Sequence, residues 1–361
     1  MAVDSVPRIG APVFIVGSPR SGTTWLYHIL LSAGGFAIYR TETHVINVLG
    51  PKFGDLRTAE LREEFLSLWL SSEYYLRSGV DADVIRQRTM AECRTAADFL
   101  RVLMEEICSS QGATRWSDCS PENILYLPEL LASFPDAKII HIVRDGRDVA
   151  TSMAGQGWIK PLPWHRTCPE IAAGLYWEWI TQRGLRAKRN IPVNQYLEVA
   201  YHRLVGDYEA TLAAIGEFIG HQLDPAYIAR TAIGSVSKPN TSFQSEGTAA
   251  GFAPVDRWKN RLDPARARRL ELLVGDHLRR LDFETSQQGS AAPLDSLSKP
   301  IYSMNFALRL TLKRYVPALR RRIHAPLFET FEKPNDSDPT LRPGDNISTI
   351  RRMVSGATEV A

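Results

Sequence analysis

Cysteine is scarce in this chain. Four residues in 361, at Cys93, Cys108, Cys119 and Cys168, show no Cys-x-x-Cys pair and no histidine at metal-ligand spacing. That argues against a disulfide framework or a zinc site and fits a reducing compartment. No uninterrupted apolar stretch approaches the roughly 20 residues that span a bilayer. The start, Met1-Ala2-Val3-Asp4-Ser5-Val6-Pro7-Arg8, lacks the basic residues and the apolar run of about 7–15 residues of a secretory signal, so the expected location is the cytoplasm. No internal repeat is present. With 44% hydrophobic and 23% charged residues, a fibrous or largely disordered chain is excluded.

Charge of one sign is missing overall but not locally. The formal net charge is +3, yet residues 303–322 carry six cations (Arg309, Lys313, Arg314, Arg320, Arg321, Arg322) and no carboxylate, which leaves −3 for the rest. A slightly acidic body disfavours a general affinity for nucleic acid. The length suggests one large or two modest domains.

What is present reads as alternating strands and helices. Val13-Phe14-Ile15-Val16-Gly17 is a buried strand stopped by glycine; Lys138 to Val143 and Tyr196 to Tyr201 are two more. Helical spacing runs over about 59–76, 96–109, 128–134, 148–153, 172–188, 208–219 and 264–281. This order predicts an α/β fold, a doubly wound and mostly parallel sheet with flanking helices and a nucleotide-phosphate loop after the first strand. The expected organisation is an arm over residues 1–11, a domain over 12–285, a Ser/Gln/Gly/Ala/Pro linker over 286–300, a basic amphipathic segment over 301–332 and a polar tail over 333–361.

Gly17-Ser18-Pro19-Arg20-Ser21-Gly22-Thr23-Thr24 closes a strand and opens a helix, which aims backbone N–H groups and the positive helix end at one point suited to an anion. The G-x4-G spacing is that of a phosphate loop, but Thr23 stands where the lysine of an ATP-hydrolysing loop should follow. The cation lies inside the loop instead, as Arg20. A plain glycine turn packing a helix on a strand is the competing reading of the spacing alone.

Pro19-Arg20-Ser21-Gly22-Thr23-Thr24-Trp25-Leu26 resembles the 5′-phosphosulfate loop of sulfotransferases that use 3′-phosphoadenosine 5′-phosphosulfate (PAPS). Ile142-Val143-Arg144-Asp145-Gly146-Arg147-Asp148-Val149-Ala150-Thr151-Ser152 is similar to that family's 3′-phosphate element, in which an arginine at a strand end and a serine eight residues on hold the phosphate. Further likeness extends over roughly residues 12–285. Glu198-Val199-Ala200-Tyr201-His202-Arg203-Leu204 is similar to the family's Y-E-D-L strand end, with His202 and Arg203 replacing the acidic pair. Thr241-Ser242-Phe243 resembles the segment that covers the adenine, implying a Trp25/Phe243 sandwich. Trp258-Lys259-Asn260 is similar to the closing motif, but the R-K-G expected ahead of it reads Gly251-Phe252-Ala253, leaving Lys238, Arg257 and Lys259 as substitutes for a third cation.

The resemblance implies PAPS as co-substrate and no metal. Its cofactor-binding residues are Arg20, Ser21, Gly22, Thr23, Thr24, Trp25, Arg144, Ser152, Tyr201 and Phe243. Arg20 would stabilise the departing charge without donating a proton. The stretch Trp116-Ser117-Asp118-Cys119-Ser120-Pro121 has neither the lysine nor the histidine of K-x-H relatives. Cys119 there reads as a small buried thiol. Glu42-Thr43-His44-Val45-Ile46 instead resembles the E-x-H of heparan-type and the E-T-x-V-I of tyrosylprotein sulfotransferases, so Glu42 is the expected base, aided by His44. In an extended chain these two side chains share one side. A solvated glutamate and a satisfied core histidine are the plain alternative.

The acceptor is expected to be a small molecule, sugar or lipid with a hydroxyl or amine. Two other functions fit a phosphate loop: a magnesium-dependent phosphotransferase, and a non-catalytic scaffold tethered by its basic tail. The Met304–Tyr315 stretch mixes apolar residues and cations at helical spacing, which suits either an anionic membrane surface or a helix packed on its own domain.

Overall fold

A computed structural model describes residues 9–233, 254–286, 289 and 291–315. Four parallel strands form one sheet among these residues: β1 (Val13–Gly17), β2 (Ser117–Asp118), β3 (Lys138–Val143) and β4 (Tyr196–Ala200), in the order β2-β1-β3-β4. The register pairs Val13 with Ser117 on one side and Gly17 with Ile142 on the other, and Val143 faces Ala200.

The continuous apolar run of β1 is explained by burial on both faces. Phe14 and Val16 belong to one hydrophobic cluster, with Trp116, Phe134, Trp177 and Ile180. Val13 and Ile15 point the other way, into a second cluster with Leu26, Leu30, Leu212 and Ile215. The sheet is thus doubly wound: α1 (Thr23–Ser32) and the Tyr208–Ile219 helix cover one face, the Pro169–Lys188 helix the other.

Strand order 2-1-3-4 has a consequence for function. The chain leaves β1 toward one edge, then crosses to the other to form β3, so the carboxyl ends of β1 and β3 flank a topological switch point, where doubly wound sheets bind ligands.

Two expectations are corrected and one open alternative is resolved. The third strand ends at Ala200, because Tyr201 opens a short helix, Tyr201–Gly206. The linker over 286–300 is helical from Pro293 onward, in one helix Pro293–Tyr315. Its polar composition hides tertiary anchors: Asp295 takes two hydrogen bonds from Arg269, both at 2.6 Å, and Lys299 pairs with Glu178 at 2.7 Å. Finally, the basic segment packs on its own domain over 302–310, through Tyr302, Phe306 and Leu310. The polar tail lies outside the described residues.

Candidate active site

The loop after β1 is built on close approaches that only glycine allows. A Cβ on Gly17 would stand 2.6 Å from the Ile142 carbonyl oxygen, and one on Gly22 (φ 98°) 2.5 Å from the Tyr201 ring. Tyr201 is thereby seated against the loop. Between the glycines Arg20 adopts φ 71°, a left-handed conformation that costs a side-chain-bearing residue on the order of 1 kcal/mol or more. Many of the chain's helices are capped by a side chain, as Thr95, Asp224 and Asp263 do; α1 has Gly22 there and no side-chain cap. Its N-terminal dipole end opens into the loop.

Arginines converge on that point. Arg20 Nε donates to Ser152 Oγ at 2.9 Å, and Arg144, at the end of β3, donates to the Arg20 carbonyl at 3.3 Å. Arg144 also meets Asp148 at 3.3 Å and the Pro254 carbonyl at 2.8 Å, with its guanidinium 4.6 Å from the centre of the Tyr201 ring. Burial, then the charges of Arg144 and Arg257, pull the Arg20 guanidinium down to about 10, while Glu42 pushes it back up. Ser21 Oγ and Arg144 Nε are buried without a hydrogen-bond partner among the described residues. Pooled cations, unsatisfied donors and an open helix end fit a multiply charged anion.

Glu42 and His44 do meet, though not along an extended strand. His44 has φ 54° and begins a π-helical turn, Val45–Leu49; its Nε2 lies 3.8 Å from Glu42 Oε2. The buried carboxylate of Asp118, at the end of β2, holds this loop. It accepts from Thr43 N at 3.3 Å, Ser120 Oγ at 3.1 Å and Asn123 Nδ2 at 2.8 Å, while His44 N donates to Ser120 Oγ at 3.3 Å. Burial raises the Asp118 carboxyl, against the hydrogen bonds from Thr43 and Ser120.

Residues 12–225 match the model of the sulfotransferase family. The chain belongs to that family. A Caenorhabditis briggsae protein named "Putative protein-tyrosine sulfotransferase" is 26% identical over 212 residues, which are 58% of this chain and 65% of that one. This chain therefore spans just under two thirds of that relative's length. The sulfotransferase domain of the curacin biosynthetic pathway superposes with a TM-score of 0.51 at 20% identity, over 77% of this chain and 99% of that one. That of the Synechococcus PCC 7002 olefin synthase gives 0.47 at 21%, over 83% and 96%.

Within this sulfotransferase fold, the residues expected at two ends of a donor touch one another: Ser152, read beside Arg144, hydrogen-bonds Arg20 instead. Phe243 and Lys238 lie outside the described residues. Trp25 stacks on Tyr208 (6.2 Å, 19°) and meets Tyr201 edge-on. Of the substitute cations, Arg257 acts on both Arg20 and Tyr201, whereas exposed Lys259 pairs with Asp256 at 2.6 Å. Trp258 ties its segment to the site through its backbone N–H, which donates to Asp148 Oδ1 at 2.9 Å. Cys119 is buried in the core. His141 is a core histidine bonded to Tyr196, pushed down to about 3 by burial and by the charges of Lys188 and His277. Sequence reasoning missed Asp118, Ser120 and Tyr208; the two-residue β2 leaves no local pattern that marks the first two.

Proposed function

We propose that this sulfotransferase moves the sulfuryl group of PAPS onto a hydroxyl or amine of a small-molecule, sugar or lipid acceptor, with Glu42 as general base. The observation that carries this reading is the Arg144 to Arg20 contact at the switch point, with Ser152 on the Arg20 side chain and Glu42 within its electrostatic reach.

PAPS brings an activated sulfuryl group and two phosphate positions. Arg20, Ser21, Gly22, Thr23, Thr24 and the open end of α1 would hold its 5′ end; Arg144, Ser152 and Arg257 would hold the 3′-phosphate, with Trp25 and Tyr201 beside the nucleotide. Arg20 keeps its proton and neutralises the charge that grows on the departing oxygen. Glu42, partly exposed, removes the acceptor proton, and His44 orients the carboxylate. Asp118 keeps the base loop in register from behind. The proposed chemistry requires no metal ligand of the chain.

The test is a thermal titration of the purified chain with 3′-phosphoadenosine 5′-phosphate and, separately, with ATP–Mg. The bisphosphate is expected to raise the melting temperature at lower concentration. A preference for ATP–Mg would replace this reading with the phosphotransferase.

A further inference from the structure

Trp158 stands beside the cation on which the proposed chemistry turns. The Arg20 guanidinium lies over its ring, 5.6 Å from the centre, while Arg20 Nε donates to Ser152 Oγ. The ring covers part of the guanidinium and is itself 38% exposed, so it stands between the cation pool and solvent rather than in the core.

The stretch that carries Trp158 is fixed from a distance. Gly157, at φ 65°, ends the Gly146–Gln156 helix, and Ile159, on the other side of Trp158, is buried in the core. Residues 162–165 are then tied to one face of the Pro293–Tyr315 helix, at Asp295, Ser298 and Tyr302. Leu162 N donates to the Tyr302 hydroxyl at 2.8 Å and Trp164 Nε1 to Ser298 Oγ at 2.9 Å. His165 is held at both nitrogens, by the Tyr302 hydroxyl at 3.2 Å and by Asp295 Oδ1 at 3.1 Å, and Arg269 grips Asp295 in turn. His165, Asp295, Ser298 and Tyr302 are all buried. Apolar side chains would join helix and loop without the desolvation cost of an aspartate and a histidine; directional bonds instead fix where the loop sits.

A transferable sulfuryl group reacts with water as well as with an acceptor, so water must be kept from it until the acceptor arrives. On the sulfotransfer reading above, we propose that Trp158 excludes water from the sulfuryl group held at Arg20, and that Tyr302 and His165 are positioning residues that hold Trp158 there through the loop. In the reaction this prevents, a water oxygen bonds to sulfur and the bond from sulfur to the 5′-phosphate oxygen breaks, with the electron pair staying on that oxygen. The products are inorganic sulfate and 3′-phosphoadenosine 5′-phosphate, and the protons of the water pass to the medium.

Incubation of the full chain with PAPS and no acceptor, following release of inorganic sulfate, tests this. The wild type is expected to hydrolyse PAPS slowly and Trp158→Ala about tenfold faster. Tyr302→Phe loses the hydroxyl shared by Leu162 and His165 and should hydrolyse about threefold faster than the wild type. Trp158→Phe keeps a ring over the cation and should stay within about twofold of the wild type. Val193→Asp, at an exposed residue elsewhere, should match it. All four variants should keep the wild-type melting-temperature response to 3′-phosphoadenosine 5′-phosphate. A merely structural role predicts the opposite sign, since a loosened fold turns over less bound nucleotide. Hydrolysis by Trp158→Ala at or below the wild-type rate, or loss of its response to the bisphosphate, overturns the proposal. Hydrolysis by Tyr302→Phe at the wild-type rate overturns the part assigned to the helix. A wild type that does not respond to the bisphosphate brings down the sulfotransfer reading and this proposal with it, whereas a responding wild type with unchanged variants brings down this proposal alone.

Discussion

Arg144 and Arg147 stand three residues apart and live in opposite surroundings. Arg147 is enclosed by acceptors: the carboxylates of Asp145, at 2.6 Å, and Glu271, and the Glu284 backbone carbonyl at 2.9 Å, with the Trp258 ring 4.1 Å away. Burial alone would lower its pKa, but hydrogen bonds to Asp145 and Glu271 raise it. Arg144 shares its neighbourhood with Arg20 and Arg257 and has Asp148 as its ion-pair carboxylate, and Arg20 is depressed first by burial and then by the charges of Arg144 and Arg257. Buried arginines with enough carboxylate are clamps that hold helices together. Partly buried arginines pooled together suit an anion brought from outside.

The sharpest way to break this comparison is to remove the proposed base beside the pool. Glu42→Gln is expected to lower sulfuryl transfer to any hydroxyl acceptor found in a panel of phenols, alcohols, sugars and tyrosyl peptides by about 10²–10⁴-fold. Its melting-temperature response to 3′-phosphoadenosine 5′-phosphate should persist. Activity near the wild-type level would hand the proton to another residue.

Next in size is the contrast between the arginines themselves. Arg147→Met strands two buried carboxylates and should destabilise the fold by about 3–5 kcal/mol in urea unfolding. Arg20→Met removes a repelled cation and its hydrogen bond to Ser152, so stability should change by about 1 kcal/mol or less, with the loss appearing in nucleotide affinity. Equal destabilisation by both would erase the distinction between clamp and receptor.

Two aspartates extend the comparison to pH. Hydrogen bonds from Arg269 hold the Asp295 carboxyl below its ordinary 3.8, so its ionised form stabilises the fold above that value and the benefit disappears as pH falls through the depressed pKa. Asp295→Asn should therefore be less stable than wild type at pH 7 and approach it in strong acid. Asp118 is raised by burial, so its ionisation costs stability as pH climbs from about 3.8. The Asp118→Asn minus wild-type difference should accordingly move in the variant's favour from pH 3.5 to pH 7, about the ordinary carboxylate range. Gly22→Ala, in which a Cβ is pressed on Tyr201 at positive φ, should cost about 1–3 kcal/mol and weaken nucleotide binding.

Legibility in the sequence follows the physics of each element. β1 and β3 were readable because burial on two faces makes continuous apolar runs, and the Tyr208–Ile219 helix because one face is apolar. β2 is two residues long and leaves no pattern. The Ala82–Glu92 helix buries only Ile85 and Thr89, so its stripe is too thin to see. At the site, Arg20 and Arg144 announced themselves through local strings. Asp118 could not, since its meaning depends on β2 lying beside β1 and on a loop 75 residues earlier. The left-handed His44 was equally hidden: Glu-Thr-His looks extended until the π-helical turn after it is known.

The most direct measurement is calorimetric titration of 3′-phosphoadenosine 5′-phosphate into the wild type, Arg20→Met and Arg144→Met. If the pooled arginines receive the nucleotide's phosphates, each substitution weakens binding by about 1.5–3 kcal/mol, roughly 10- to 150-fold, with the Arg20→Met unfolding midpoint close to that of the wild type. Wild-type affinity in both variants would contradict the account.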